Sequence, residues 1–273
     1  MKVRMFCDWD NDSEGLIIRL AAQTNDMIGH WYKDIEFVSG DEYDAAVCFN
    51  LPNVELKCDN YFFLLLEPPE IMSFHPDVRS RVYSFAEDGF LPAYGLGFAT
   101  VPKRSYPPLD SKRGTCMIVS DKLMTSYHRK RHEIKEALLR TDLPIDFYGR
   151  NLTGDDPRIM GTISPMGKHK VLRDYARCID FENSPRKVVT DKFFDPVLCN
   201  TIPVSNASIL HELTPGAFDY VDFDDDVASI VNTIGSFVEQ GTSGYSEPLR
   251  LAKEEILAGK MCLAEWIHQR LNA

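Results

Sequence analysis

The sequence predicts an α/β protein with two mostly parallel sheets. Short apolar runs alternate with helical or loop stretches in the first 100 residues, and the same alternation begins again after residue 113. Parallel strands need crossover connections, so this alternation is typical of repeated βαβ units. The stretch 101–113, which is rich in proline, lysine and arginine, separates the two series and is predicted to be an exposed linker.

The strands of the first half are predicted from short runs of apolar residues. They are Val3–Cys7, Ile35–Val38, Ala45–Asn50, Tyr61–Leu66 and Arg81–Phe85, with a helix over Gly15–Ala22. The run Tyr61–Leu66 is continuously apolar, as expected of a strand that is covered on both faces. We assign this half, residues 1–105, to an N-terminal domain.

The second half, residues 106–273, repeats the pattern and is assigned to a C-terminal domain. Its predicted strands are Thr115–Val119, Ile145–Tyr148, Ile179–Phe181, Thr201–Ser205 and Tyr220–Phe223. Its predicted helices are Tyr127–Arg140, Val171–Arg177, Ile230–Val238 and a C-terminal stretch from Leu249 to Leu271, where apolar residues recur at helical spacing. The C-terminal helix is free to pack back on the N-terminal domain.

The composition indicates a soluble globular protein, with 44% apolar and 26% charged residues. The net charge of −11 argues against general binding to nucleic acid or to anionic membranes. The seven cysteines are scattered and form no Cys-x-x-Cys pair, which favours free thiols in a reducing compartment. No apolar run is long enough for a membrane span, and we expect a cytoplasmic protein.

Polar and charged residues gather where the predicted strand Ile179–Phe181 meets the next helix. Ligands of α/β proteins bind at the carboxyl ends of strands, and a helix N-terminus offers free N–H groups to an anion there. A purely structural interpretation, in which these side chains form an Asx turn and a helix cap, is also open. The residues are Glu182, Asn183, Lys187, Thr190, Asp191 and Lys192.

This segment resembles the donor-binding signature of the α-1,3/1,4-fucosyltransferases, family GT10 of the glycosyltransferases. The family pattern is Phe-Glu-Asn-Ser, a spacer, Thr-Glu-Lys, a helix and Val-Pro-Val. Phe181–Ser184, Thr190–Lys192 and Ile202–Val204 match it in order, with Asp191 in place of the glutamate and a spacer one residue shorter. The resemblance implies a GT-B fold, in which two Rossmann-like domains face a cleft, and inverting transfer of fucose from GDP-fucose to a glycan hydroxyl.

The resemblance also assigns roles in donor binding. Lys192 and Arg150 are expected to hold the diphosphate, since Tyr148-Gly-Arg150 matches the end of a family strand. A lone arginine after a strand is otherwise most often solvated. The side chains of Glu182, Asn183, Thr190 and Asp191 are expected to shape the sugar and ribose pocket, with Tyr148, Lys187 and Ser120 as further candidates.

A carboxylate of the first half is expected to deprotonate the acceptor hydroxyl. Glu67 ends the apolar run Tyr61–Leu66, and Leu66-Glu67-Pro68-Pro69 resembles the Phe-Glu-Ser-Pro of the family, whose glutamate is the proposed base. From its position alone, Glu67 could equally be an ordinary loop carboxylate. Glu70 is the second candidate for the base.

We expect no metal and no cofactor beyond the nucleotide-sugar substrate. The acidic run Asp222–Asp226 invites a metal site, but it is predicted to end a strand and begin a helix. Two alternatives remain open. One keeps the fold and mechanism but uses UDP-xylose or another UDP-sugar, because the spacer is short. The other is a non-catalytic protein that binds glycans or nucleotides.

Overall fold

The structure of the chain, a computed structural model, describes residues 1–8, 12–66, 82–84, 105–164, 167–183 and 188–272. The chain divides into two compact units. The first comprises Met1–Lys103 together with Glu254–Ala273, and the second comprises Arg104–Lys253. The last 20 residues therefore belong to the first unit.

The first unit is built on a sheet with six strands in its described residues, in the order β2-β3-β1-β4-β5-β6. The strands are β1 Lys2–Cys7, β2 Trp31–Tyr32, β3 Ile35–Val38, β4 Ala45–Phe49, β5 Asn60–Leu65 and β6 Val82–Ser84. All neighbouring pairs are parallel except β2 and β3. The chain leaves β1 to one side through β3 and to the other through β4, so the order of strands reverses between β1 and β4.

Two helices of the first unit are α1 Ser13–Ala22 and the C-terminal helix Leu263–Leu271. Helix α1 buries Leu16, Ile17 and Leu20, which share one face. The C-terminal helix places Trp266 edge-on against Phe62, with ring centroids 5.7 Å apart, and against Tyr83, with centroids 5.1 Å apart. The end of the chain thus covers the sheet near β5 and β6.

The second unit holds another sheet of six described strands, all pairs parallel, in the order β12-β11-β10-β7-β8-β9. The strands are β7 Arg113–Val119, β8 Ile145–Gly149, β9 Ile159–Thr162, β10 Tyr175–Ile179, β11 Ile202–Ser205 and β12 Asp219–Tyr220. This is the doubly wound order of Rossmann folds. The chain runs outward from β7 through β8 and β9, then returns to β10 on the other side, so the order reverses between β7 and β10.

The helices of the second unit flank this sheet. They are α2 Ser126–Leu139, α3 Lys168–Leu172, α4 Asp191–Leu198, α5 Leu210–Leu213 and α6 Val227–Glu239. Helix α7, Ser246–Leu257, begins in the second unit and ends in the first. The C-terminal helix Leu263–Leu271 is α8. One core is formed by Met117, Phe147 and Ile179 of the strands with Ile134 of α2 and Ile230 of α6. The core therefore fixes α2 and α6 on one face of the sheet.

The predicted strands of the first unit are confirmed within a residue or two, whereas parts of the second unit differ. The predicted helix Val171–Arg177 is wrong, because α3 ends at Leu172 and Tyr175–Ile179 is a fully buried central strand. The expected strand Ile179–Phe181 only overlaps its end. Arg177 lies inside this strand and interrupts its apolar sequence pattern. Its charge is compensated by Asp219, with Nε 2.6 Å from Oδ2.

Other elements were missed or have different bounds. The short strands β2 and β9 have no counterpart in the prediction, and the last strand is Asp219–Tyr220 rather than Tyr220–Phe223. The predicted C-terminal stretch is split into α7 and α8, with a turn at Gly259 between them. None of the seven cysteines, which all lie among the described residues, forms a disulfide, as expected. Within the described residues, no helix combines the length and apolar character needed to cross a membrane.

Candidate functional site

The reversal of strand order between β7 and β10 locates the candidate site of the second unit. Loops that leave neighbouring strands in opposite directions open a crevice at the carboxyl ends of the strands, where ligands of such folds bind. Ser120 follows β7 at this edge, and Asp180–Asn183 follow β10. The crevice is therefore bordered by the predicted residues Ser120, Glu182 and Asn183.

Arg131 bridges the two sides of this crevice from helix α2. Its Nη1 donates to the Phe181 carbonyl oxygen at 3.0 Å, and its Nη2 donates to Ser120 Oγ at 3.2 Å. The residue is only 2% exposed, and its Nε has no hydrogen-bond partner among the described residues. A buried guanidinium with a spare donor thus lies at the reversal point.

Glu182 is fully buried, and its carboxylate is engaged by Thr190. Oε1 accepts from the Thr190 N–H at 2.7 Å, and Oε2 accepts from the Thr190 hydroxyl at 2.8 Å. The Glu182 N–H in turn donates to Asn206 Oδ1 at 2.7 Å. Burial raises the pKa of Glu182 to about 7. Glu182 therefore shapes the site by fixing Thr190.

Thr190 is the N-cap of helix α4, as one of the two interpretations of the sequence predicted. Its Oγ1 accepts from the Lys192 N–H at 3.3 Å, and its carbonyl oxygen accepts from the Phe193 and Phe194 N–H groups at 3.0 and 3.1 Å. Asp191 is the first residue of the helix and Lys192 the second. The N-terminus of α4 thus carries a lysine ammonium at the positive end of its helix dipole.

The Lys192 ammonium lies back over this helix end. Its Nζ is 3.1 Å from Thr190 Oγ1, 3.4 Å from Asp191 Oδ1 and 3.7 Å from Glu182 Oε2. Burial works against its charge, yet the carboxylates of Asp191 and Glu182 hold the Lys192 pKa above its ordinary value. The charge is therefore stable, and the side chain keeps 16% of its surface exposed.

A second lysine, which the sequence analysis missed, lies behind Asp191. Lys168, the first residue of α3, places Nζ 2.9 Å from Asp180 Oδ2, 3.0 Å from Asp191 Oδ2 and 3.4 Å from Asp195 Oδ2. Both oxygens of Asp191 therefore face lysines. Although burial opposes the charge, Lys168 and Lys192 lower the pKa of Asp191 well below its ordinary value.

Asn183 and the loop after β7 are tied together. The Thr125 hydroxyl donates to the Asn183 carbonyl oxygen at 3.1 Å, and the same hydroxyl oxygen accepts from the His128 N–H at 3.2 Å as the N-cap of α2. The hydroxyl of one residue thus links the N-terminus of α2 to the chain leaving β10. This contact fixes the backbone at Asn183.

The other two predicted donor residues lie farther from this cluster. Arg150 follows β8, is exposed, and stands two strands from β10, which corresponds to about 10 Å across the sheet. Gly149 is required before it, since a Cβ there would lie 2.2 Å from the Val119 carbonyl oxygen. The Tyr148 hydroxyl is 3.0 Å from that of Tyr175, the first residue of β10, away from the carboxyl edge.

Glu67, Glu70 and Lys187 lie outside the described residues. The strand that leads to Glu67 is described, however, and its end is anchored. The Leu66 N–H donates to Asn50 Oδ1 at 2.9 Å, and Asn50 Nδ2 donates to Asp8 Oδ1 at 3.0 Å. Asn50 follows β4 and Asp8 follows β1, so this bonded group lies at the reversal point of the first sheet.

Arg131 had a signal in the sequence that was not used, whereas Lys168 had none. Arg131 lies three residues before Ile134 and seven before Leu138, so it shares the buried face of α2. An arginine among the apolar residues of a helix face is expected to be buried, and a buried guanidinium needs hydrogen-bond partners inside the protein. Lys168 lies in the run Lys168-His-Lys170, which resembles an exposed basic stretch, and only the tertiary structure brings three carboxylates to it.

Within the described part of the chain, no group of three or more His, Cys, Asp or Glu side chains is arranged to hold a metal ion. The three aspartates that do converge enclose the Lys168 ammonium. Asp226, in the acidic run, caps α6, where its Oδ1 accepts from the Ser229 N–H at 2.9 Å.

Comparison with known proteins shows a likeness in fold. No protein-family model matches the chain, and no curated protein matches it in sequence. Solved structures do match over its whole length. A crystal structure of α1,3-fucosyltransferase with GDP has a TM-score of 0.55 at 15% identity, covering 100% of this chain and 90% of that one.

Two further structures match over 100% of both chains. One is T4 phage BGT in complex with its substrate UDP-glucose, with a TM-score of 0.57 at 11% identity. The other is an α-glucosyltransferase in complex with UDP and a 13-mer DNA, with a TM-score of 0.61 at 10% identity. The chain thus has the GT-B fold of these glycosyltransferases, with two α/β domains on parallel sheets, and the predicted fold class is confirmed.

Proposed function

We propose that this chain transfers a sugar from a nucleotide sugar to an acceptor hydroxyl, and binds the donor diphosphate where β7 and β10 end. The observation that carries the proposal is the N-terminus of α4 at this edge. It places the ammonium of Lys192, whose side chain is 16% exposed, at the positive end of a helix dipole in a GT-B fold. A departing diphosphate is stabilised by cations and by the positive ends of helix dipoles.

Arg131 supplies a second cation to the same crevice. Its position between Ser120 and Phe181 is fixed by two hydrogen bonds, and its Nε keeps a donor that the protein does not use within the described residues. Arg150, the arginine favoured by the family resemblance, is exposed two strands away from β10. We therefore propose Lys192 and Arg131 as the inner cations and Arg150 as an outer one.

Glu67 is the proposed base for the acceptor hydroxyl. Its own position lies outside the described residues, and the support comes from the residue before it. Leu66 directly follows β5, and its N–H donates to Asn50, which also donates to Asp8, at the carboxyl edge of the first sheet. A carboxylate directly after this anchored end is well suited to meet a bound hydroxyl, and Glu70 is the second candidate.

The proposed donor is GDP-fucose, transferred with inversion, on the strength of the motif Phe181–Ser184, Thr190–Lys192 and Ile202–Val204. One observation favours a UDP-sugar as the second candidate. Asp191, which replaces the family glutamate, directs both carboxylate oxygens to lysines rather than outward. Contacts to the sugar and ribose would then come from other groups, and the donor preference need not follow the family.

The proposed acceptor is a glycan hydroxyl. One structure of similar fold contains DNA, but the net charge of −11 opposes binding to a phosphate backbone. A transfer assay should therefore present both a panel of glycans and duplex DNA. Transfer to the glycans alone is expected, and transfer to DNA alone would replace the acceptor in this proposal.

Donor binding is the first test. Thermal shifts are measured with GDP-fucose, GDP-mannose, UDP-xylose and UDP-glucose. Stabilisation by GDP-fucose above the others is expected, and stabilisation by uridine nucleotides alone would discard fucose. Binding without transfer or hydrolysis would favour the non-catalytic alternative.

Variants then test the roles. Lys192→Ala and Arg131→Ala are expected to weaken nucleotide binding by about tenfold or more each, because each removes a charge-assisted contact. Arg129→Ala, on the exposed face of the same helix, is the matched control and should bind normally. Glu67→Gln should bind the donor normally but lose transfer by at least about a hundredfold. Full transfer by both Lys192→Ala and Glu67→Gln would refute the assignment.

A further inference from the structure

The Lys168 ammonium is a buried charge that no donor motif includes. Its side chain is 5% exposed, and three carboxylates lie within 3.4 Å of its Nζ. It also donates to the Asp191 carbonyl oxygen at 3.2 Å. Burial opposes its charge, but Asp180, Asp191 and Asp195 raise the pKa of Lys168 well above the ordinary value, so the group is an ammonium.

Asp191 is shared between this buried lysine and the partly exposed Lys192. Its Oδ2 faces Lys168 at 3.0 Å, and its Oδ1 faces Lys192 at 3.4 Å, a longer and weaker contact. Lys168 also forms an ion pair with Asp180, with Nζ 2.9 Å from Oδ2. The negative charges of Asp191 and Asp180 are thus compensated largely by Lys168 and not by Lys192.

Without Lys168, the charge balance around Lys192 would reverse. Asp191 would have Lys192 as its nearest cation, and Asp180 would lose its partner. The nearby Glu182 carboxylate, 3.7 Å from Lys192, would add to this negative surrounding. An incoming diphosphate would then meet a neutralised lysine and uncompensated carboxylates, both of which oppose its binding.

We propose that Lys168 is a positioning residue that keeps the Lys192 charge available to the donor diphosphate, by holding Asp191 and Asp180 on its own side. This inference rests on the proposed function, because it assumes that a nucleoside diphosphate binds at the N-terminus of α4. Lys168 itself does not touch the ligand. It acts through Asp191.

The experiment compares binding of GDP and UDP with binding of guanosine and uridine, which lack the diphosphate. Lys168→Met removes the positive charge and keeps the length of the side chain. It should raise the Kd of the nucleoside diphosphate by about tenfold or more, while nucleoside binding changes less than about twofold. A purely structural role would weaken both kinds of ligand alike.

Two further variants test the charge argument. Lys168→Met with Asp180→Asn removes one charge of each sign, and its Kd for the diphosphate should fall between those of Lys168→Met and the wild type. Asp180→Asn alone removes a negative charge and should bind the diphosphate at least as tightly as the wild type. Asp180→Asn keeps the proposal falsifiable even if Lys168→Met does not fold.

Lys112→Met is the matched control. Lys112 is a partly buried lysine of this unit, but its partners are the carbonyl oxygens of Leu172 and Cys199 and the Thr201 hydroxyl, at 2.6–2.8 Å. It precedes β7, at the amino edge of the sheet. Its loss should lower stability and leave diphosphate affinity in the folded protein unchanged.

The outcomes separate the two ideas. If the wild type binds neither GDP nor UDP, the proposed function fails. If the wild type binds but folded Lys168→Met binds the diphosphate equally well, or Asp180→Asn binds it more weakly, only the inference about Lys168 is overturned. A loss of diphosphate affinity in Lys112→Met as large as that in Lys168→Met would also overturn it.

Discussion

The buried carboxyl group of Glu182 makes the stability of this protein depend on pH in a defined direction. The side chain has no exposed surface, and its two oxygens accept from the Thr190 N–H and hydroxyl at 2.7 and 2.8 Å. Burial raises the pKa of Glu182 from 4.5 to about 7, and the nearby Lys192 only partly opposes this. The folded protein therefore retains a proton that an unfolded chain would release.

The direction and size of this pH dependence follow from the difference in proton binding between the folded and unfolded states. Below pH 4.5 the carboxyl group is protonated in both states, and between pH 4.5 and about 7 only the folded state keeps the proton. The free energy of unfolding therefore falls as the pH rises through this window and levels off above it. The difference between the two pKa values corresponds to a loss of about 3 kcal/mol.

Glu182→Gln should remove this dependence. The amide oxygen can still accept from the Thr190 N–H, and the amide nitrogen can donate to the Thr190 hydroxyl, so the variant imitates the protonated acid. Unfolding by urea is measured at pH 5 and pH 8 for both proteins. The decrease in the free energy of unfolding between these values should be smaller in the variant by about 2.5 kcal/mol, because pH 5 already lies above the pKa of the unfolded chain.

Subtracting the pH dependence of Glu182→Gln from that of the wild type removes the contribution of every group whose titration the substitution leaves unchanged. Glu247→Gln is the control, because Glu247 is an exposed acid that pairs with Arg250 at 2.7 Å, and its pH dependence of unfolding should stay close to that of the wild type. Equal pH dependence in the wild type and Glu182→Gln would refute the reasoning, since Glu182 would then titrate alike in the folded and unfolded states.

Three other substitutions test the fold around the two sheet edges. Gly149→Ala should cost about 3 kcal/mol in urea unfolding, because its Cβ would lie 2.2 Å from the Val119 carbonyl oxygen; a cost below about 1 kcal/mol would mean that this strand end yields. Asn50→Gly keeps the positive φ of 58° but removes the bonds to Asp8 and Leu66. Its transfer rate should fall by about tenfold with donor affinity unchanged, and a normal rate would contradict the role of Asn50. Arg177→Met leaves a buried acid unpaired and should cost about 3–5 kcal/mol in urea unfolding, with partial recovery when its partner is also neutralised; failure to recover would contradict the ion-pair explanation.

The sequence predicts most of this fold because the strands of a doubly wound sheet are short apolar runs. Ile35–Val38 was predicted to the residue, and the other strands of the first unit were found within a residue or two. The prediction fails at Tyr175–Ile179, where Arg177 interrupts the apolar pattern. Its partner Asp219 is 42 residues away and cannot be inferred from local sequence.

The candidate site was predictable only in part, for a similar reason. The motif placed Thr190, Asp191 and Lys192 at a helix N-terminus, and this placement depends on local capping chemistry that a sequence displays. The contacts of Lys168 and Arg131 join segments 11 to 50 residues apart and follow from the order of strands. A pattern of residue types does not contain that information.

Asp191 combines a position that local sequence predicts with contacts that only the tertiary structure provides. A glutamate there would carry its carboxylate one methylene farther from the helix end. The shorter side chain instead keeps its oxygens 3.0 Å from Lys168 and 3.4 Å from Lys192, and neither oxygen is left without a cation. An acid held in this way is a poor acceptor for a sugar hydroxyl, because a new bond must compete with two ammonium groups. If the chain binds a nucleotide sugar at this edge, Asp191 contributes mainly to the electrostatics of the diphosphate, and discrimination between donor sugars must be carried by other residues.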